Sequence, residues 1–237
     1  MRVAALDQSI SSVLDDTAAR LLAEAEVDRP PVDALDLAAR LGVEVLFDAG
    51  QAGRARHKRL AGRSVILLKP GDRPERMQWA AAHELGEVVA HRVFERLDLD
   101  EAELRPELRE QTASLLAARL LLPLDWFADD ARLLDGDVPA LKNVYSTASH
   151  ELVAWRLLDL PQESTVTVFD HGRLTRRRSN GERPPPRLAP EECAVWQETH
   201  RTGRPCERWA RGLRVRCWAI HEPQWKREIL RTSRDES

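Results

Sequence analysis

Apolar residues recur at helical spacing from the first turns of the chain. Ile10, Val13, Leu14, Ala18, Leu21, Leu22 and Ala25 form a 3.6-residue stripe that predicts a helix over 8–26, ended by Pro30-Pro31. Asp33–Leu41 predicts a second, shorter helix with Gly42 just past its end. The period then changes. Val43–Phe47 alternates as a strand does, and Arg54–Lys58 with Ser64–Leu68 reads as a hairpin turning through Ala61-Gly62. Asp72 as N-cap, with Pro74 in the first turn and Glu75 three residues on, opens a helix expected to run to about Arg96. Leu97–Leu104 is an acidic linker. Glu107–Leu122 is an Ala- and Leu-rich helix stopped by Pro123, and Leu124–Leu134 follows as another. Pro139–Ser146 and Ser149–Leu158 form a helix–turn–helix-like pair.

Beyond Pro161 the pattern shortens. Thr165–Phe169 and Arg173–Arg178 flank Asp170-His171-Gly172, a hairpin signal. Asn180–Pro190 is a polar, Pro-rich loop, and a helix runs from Pro190 to near Gly203. Cys206–Trp209 and Leu213–Ile220 make a second hairpin about Arg211-Gly212, and Pro223–Arg231 is expected to be a final helix. Four of the seven Trp residues lie after residue 190 and read as the core of this part. The expected fold is α+β. Residues 1–160 form a mainly helical domain with a small β-sheet near its N-terminus, including the helix pair at 139–158; residues 161–237 form a small α+β module.

Charge and cysteine content narrow the partners. The net charge of −3 gives no electrostatic reason to expect nucleic-acid or acidic-membrane binding. The run Arg176-Arg177-Arg178, with Arg183 and Arg187, is a local exception read as a solvated hairpin end. Three cysteines without a CxxC pair suit free thiols in a reducing compartment. No apolar run is long enough to span a bilayer, so a soluble, cytoplasmic protein without a membrane partner is expected.

The candidate chemistry sits at His83-Glu84-Leu85-Gly86-Glu87. In HExxH, two His four residues apart bind zinc from one helix face and the intervening Glu is the general base. Here Glu87 stands at the second His position. Residues 83, 87 and 91 share a face, and Ala80, Ala81, Leu85, Val88 and Val89 give the helix a buried side. Carboxylate oxygen binds zinc at about the distance of imidazole nitrogen. His91 lies two turns beyond His83, about 12 Å along the axis. That spacing makes it a hydrogen-bond partner for Glu87 or a ligand at a shifted site. Glu110, on the following helix, is the candidate third ligand, since such sites draw a carboxylate from a separate helix.

These segments together resemble the ImmA/IrrE family of zinc metallopeptidases. Arg29–Val45 resembles the family's N-terminal helix and first strand, and Ala81-Ala82-His83-Glu84-Leu85-Gly86 with His91 its active helix. Glu110–Pro123 resembles its ExxANxFAxxLLMP segment, and Ala148–Leu157 its late helix. The resemblance implies a zincin-like domain with His83 and Glu110 as metal ligands and Glu84 as catalytic base. With Glu87 in the His position, the metal set becomes His83, Glu87 and Glu110. Its oxygen-rich donors suit Zn2+, Mn2+ or another divalent metal. His150 and Tyr145 are the remaining candidates, as groups that contact substrate or a transition-state oxygen.

The expected activity is a metal-dependent endopeptidase. By resemblance its partner is a protein substrate, a helix–turn–helix transcriptional repressor cleaved in a stress or mobile-element response. Two alternatives stand beside it. One is an inactive pseudopeptidase acting as a binding or regulatory module, because of Glu87. The other is a DNA-linked regulator using the 139–158 helices, whose second helix has Arg156 as its single base.

Overall fold

A computed structural model describes residues 2–60, 62–71, 73–181, 184–222 and 224–234. The architecture is α+β, in two compact units. One is built from residues up to Asp130 with Asn143–Ser149; the other is Ala131–Lys142 with His150 onward. Residues 131–142 and 150–160 thus group with the C-terminal part, whereas the sequence pattern suggests a single cut at Pro161.

In the first unit, α1 (Arg2–Glu24) buries Leu14, Ala18, Leu21 and Leu22, the predicted stripe. Asp33 caps α2 (Ala34–Arg40): its carboxylate accepts the Leu35 and Asp36 N–H groups that have no helical partner. Gly42, at φ +77°, then releases the chain into β1 (Glu44–Phe47). The hairpin β2 (Ala55–Leu60) and β3 (Arg63–Leu68) follows, and the sheet order is β1-β3-β2. β3 lies in the middle, parallel to β1 and antiparallel to β2, and carries the buried Val65, Ile66 and Leu68.

The helix α3 (Pro74–Val89) packs on β2 and β3. Its expected N-cap, Asp72, lies outside the described residues, as does Ala61 of the hairpin turn; Arg73 holds the N-cap position without a side-chain bond. The helix does not run unbroken to Arg96. It stops at Val89, and α4 (His91–Arg96) restarts after Ala90. At the junction the Val93 N–H bonds the Ala90 carbonyl three residues back, a tightened turn that puts Val93 and Phe94 in the core. Arg92 and Arg96 meanwhile reach Glu24 and Asp16 of α1. The next helices are α5 (Pro106–Leu121), α6 (Leu124–Leu133), α7 (Val138–Val144) and α8 (His150–Arg156).

The second unit is dominated by a five-stranded antiparallel sheet. Its strands are β4 (Ser164–Asp170), β5 (Arg173–Ser179), β6 (Cys206–Ala210), β7 (Leu213–Glu222) and β8 (Trp225–Arg234), in the order β5-β4-β8-β7-β6. Both predicted hairpins form. Their turns place His171-Gly172 and Arg211-Gly212 at positive φ, the conformation of two-residue hairpin loops. The helix α9 (Pro190–Thr202) lies between the two hairpins in sequence and packs on β6, β7 and β8. Val195 and the partly buried Trp196 meet Phe169, Val215, Cys217 and Leu230 there. Burial of each large side chain in this layer contributes about 1.5–3 kcal/mol.

The predicted final helix is wrong. Pro223 lies outside the described residues, and Trp225–Arg234 is the middle strand of the sheet, paired to β4 and β7. Its residues Glu228–Ser233 are all buried, and three of the polar ones have side-chain partners: Glu228 binds His200 and His221 through one oxygen, Thr232 binds Glu192, and Arg231 reaches Gln162. The Trp expectation holds in part. Trp218 is buried and Trp196 stacks on Phe169, but Trp209 is exposed beneath the Arg214 guanidinium.

The basic run is solvated only in part: Arg176, Arg178 and Arg187 are exposed, whereas Arg177 is drawn inward. Arg176 pairs with Glu151, Arg177 with the buried Glu192, and Arg178 covers the Trp155 ring; Arg183 lies outside the described residues.

Candidate metal centre

Two helices bring the site together, and small residues set their separation. Ala81 and Ala82 of α3 and Ala113 and Ala117 of α5 are fully buried. Gly86 makes the closest approach: a Cβ there would stand 2.6 Å from the Ala113 carbonyl oxygen. With no Cβ at residue 86, α5 comes near enough for Glu110, three residues before Ala113, to reach the face carrying His83 and Glu87.

On that face His83 Nε2 lies 3.1 Å from Glu110 Oε1 and 3.9 Å from Glu87 Oε1. One ligand atom from each of the three residues fits within a 4.8 Å span. Ligands at ≈ 2.0–2.2 Å in a tetrahedral arrangement are about 3.4 Å apart. The two measured separations lie on either side of that value, so the three side chains fit a shared divalent ion. His83 is the least exposed of them, at 16 %, and Glu110 the most, at 62 %. Ser114 Oγ is 3.3 Å from His83 Nδ1. With Nδ1–H donated to that hydroxyl, Nε2 is left free to face the acids.

Glu84 is buried beside this group. Its carboxyl group is pushed up to about 7, chiefly by burial, then by the nearby charge of Glu87 and less so of Glu110; the His57 backbone N–H bonded to it opposes the shift. Burial also raises Glu87. The His83 charge pulls it down, while Glu110 raises it through its charge and a carboxyl–carboxyl hydrogen bond. Glu84 and Glu87, both pushed up and crowded together beside Glu110, form an arrangement that a cation relieves. An acid poised near 7 also suits proton transfer at neutral pH.

The other sequence candidates lie elsewhere. His91 is exposed at the start of α4, with Nδ1 3.0 Å from the Val88 carbonyl oxygen, and is outside the three-residue group. Tyr145 is fully buried, packs at a tilt against Phe127 and donates its hydroxyl hydrogen to Asp130. His150 is the first residue of α8, in the second unit. Two neighbours of the site escape the sequence reading. Ser114 stands four residues after Glu110, a spacing that places both on one helix face. His57 sits at an inward position of β2, where Ala55 and His57 are half-buried and Arg56 and Lys58 are exposed.

A helix that offers His83 and Glu87, a second helix that supplies Glu110, and the buried carboxyl of Glu84 beside them have the layout of a metallopeptidase-type centre. Residues 38–157, just over half of the chain, match the model of the Peptidase_M78 family, described as an IrrE N-terminal-like domain; the chain belongs to that family. Family membership implies a divalent metal. Among solved structures, one named as a Mycobacterium tuberculosis transcriptional regulator superposes with a TM-score of 0.67 at 18% identity, covering 94% of this chain and 75% of that chain. At that identity the likeness is one of fold. No curated protein matches the chain. No helix among the described residues is long and apolar enough to cross a membrane.

Proposed function

We propose that the protein is a metal-dependent endopeptidase acting in the cytoplasm on a helix–turn–helix transcriptional repressor. The observation that carries this reading is the convergence of His83 Nε2 with the Glu87 and Glu110 carboxylates beside a buried Glu84. His83, Glu87 and Glu110 hold the ion, which when bound polarises a peptide carbonyl and makes water more acidic. Glu84 takes the proton from the attacking water and returns it to the leaving amine. Two carboxylates in the donor set widen the metal choice from Zn2+ toward Mn2+. β2 is an edge strand of its sheet and its His57 N–H meets Glu84, which puts extended backbone beside the base. A peptide substrate adds a strand at such an edge.

Metal analysis of the purified chain, followed by repressor cleavage assays, tests this reading. About one divalent ion per chain is expected in the wild type and none in His83→Ala. Glu84→Gln keeps the ion and loses hydrolysis. A wild type without metal supports the pseudopeptidase reading, which the carboxylate at position 87 favours. The DNA-linked reading loses support from α8. Glu151 is engaged by Arg176, Arg227 and Trp155, and the buried Arg156 pairs with the more exposed Asp159, all within their own unit.

A further inference from the structure

His57 is the one imidazole near the site that the reading above leaves without work. It points inward from β2 toward the side on which α3 packs, and its backbone N–H already bonds the Glu84 carboxyl. Its Nε2 is buried and has no hydrogen-bond partner among the described residues. A buried ring nitrogen left in this state is unfavourable and calls for a partner. The imidazole lies close enough to Glu87 for its charge to act on that carboxyl.

Glu87 needs such a neighbour. A glutamate has three side-chain torsions and two equivalent oxygens, where a histidine ligand has a rigid ring. Its carboxylate is 40 % exposed and stands farther from His83 than that of Glu110 does. A carboxylate serves as a reliable ligand when a donor fixes its second oxygen.

We propose that His57 is the positioning residue of this centre: its Nε2–H, unpartnered in the metal-free structure, takes one oxygen of Glu87 when the ion binds, leaving the other directed at the ion shared with His83 and Glu110. A carboxylate can then stand where HExxH has an imidazole, because a second imidazole arrives from a strand to hold it. The proposal rests on the metal-site reading above.

Titration of Zn2+ and of Mn2+ into the purified full chain, by calorimetry or chelator competition, tests it. His57→Ala is expected to weaken binding about 10–100-fold with unchanged circular dichroism. His57→Gln, which keeps an N–H donor on a chain of similar reach, stays within a few-fold of wild type. In a Glu87→His background, where no carboxylate remains to be held, His57→Ala costs less than about 3-fold. Equal losses in both backgrounds, or no loss in either, overturn the proposal while the metal site stands. A wild type that binds neither ion overturns both readings together. If His57→Ala does not fold, His57→Phe keeps the bulk, removes the donor and must show the same background-dependent loss.

Discussion

The Ala113 carbonyl oxygen of α5 occupies the space that a Cβ on Gly86 of α3 would need, only 2.6 Å from the position of that carbon. The obstacle is backbone, so it cannot swing aside as a flexible side chain would. Gly86→Ala is therefore expected to push the helices apart. Overpacking of this kind costs about 1–3 kcal/mol, despite the better helix propensity of Ala. The same displacement draws Glu110 away from His83. Urea denaturation and metal titration of the variant should show both losses together.

Glu84 makes the metal-free protein sensitive to pH. Its folded value of about 7 lies above the ordinary 4.5. Below 4.5 the carboxyl is protonated in both states and costs nothing. Between 4.5 and 7 the unfolded chain ionises first, so stability falls as pH rises, by up to about 3 kcal/mol. Above 7 the loss is complete. Glu84→Gln removes this penalty. In the presence of chelator its stability gain over wild type should grow across that window and level off above pH 7, as followed by denaturant melts.

Glu87→His restores two imidazoles at helical spacing. Zn2+ affinity relative to Mn2+ is expected to rise by about an order of magnitude, because nitrogen donors favour zinc more than they favour manganese. Competition titrations with the two ions provide the comparison.

In the second unit Arg177 and Glu192 form a buried pair, with N–O distances of 3.0 and 2.9 Å. Thr232 and the Ala189 N–H satisfy the same carboxylate. Arg177→Met leaves Glu192 charged and buried beside fewer donors, and a loss of about 3–5 kcal/mol is expected. Arg177→Met with Glu192→Leu should recover most of it, measured by thermal melts.

The two helices that carry the candidate metal residues are legible in the sequence because both signals are local. Four-residue spacing fixes one face of α3, and the apolar run of α5 fixes which side of that helix is buried. His57 was not legible as part of the site, since nothing along the chain sets the register of β2 against α3. The break at Ala90 has neither Pro nor Gly to announce it. The error at Trp225–Arg234 has a similar cause. Glu228, Arg231 and Thr232 look like the solvent face of a helix until Glu192, His200, His221 and Gln162 are brought beside them. All but His221 lie well away in sequence, and periodicity alone cannot supply them.

The middle position of β8 has a consequence for how the chain is made. β4 emerges some 60 residues before β8, and β7 directly precedes it. Until β8 arrives, the nascent chain presents two hairpins, each with one inner edge exposed and no neighbour to occupy it. A chain cut short ahead of Trp225 keeps those open edges permanently, and strands in that condition pair with other molecules. Loss of this one segment is therefore expected to convert the second unit from a continuous sheet into a seed for aggregation.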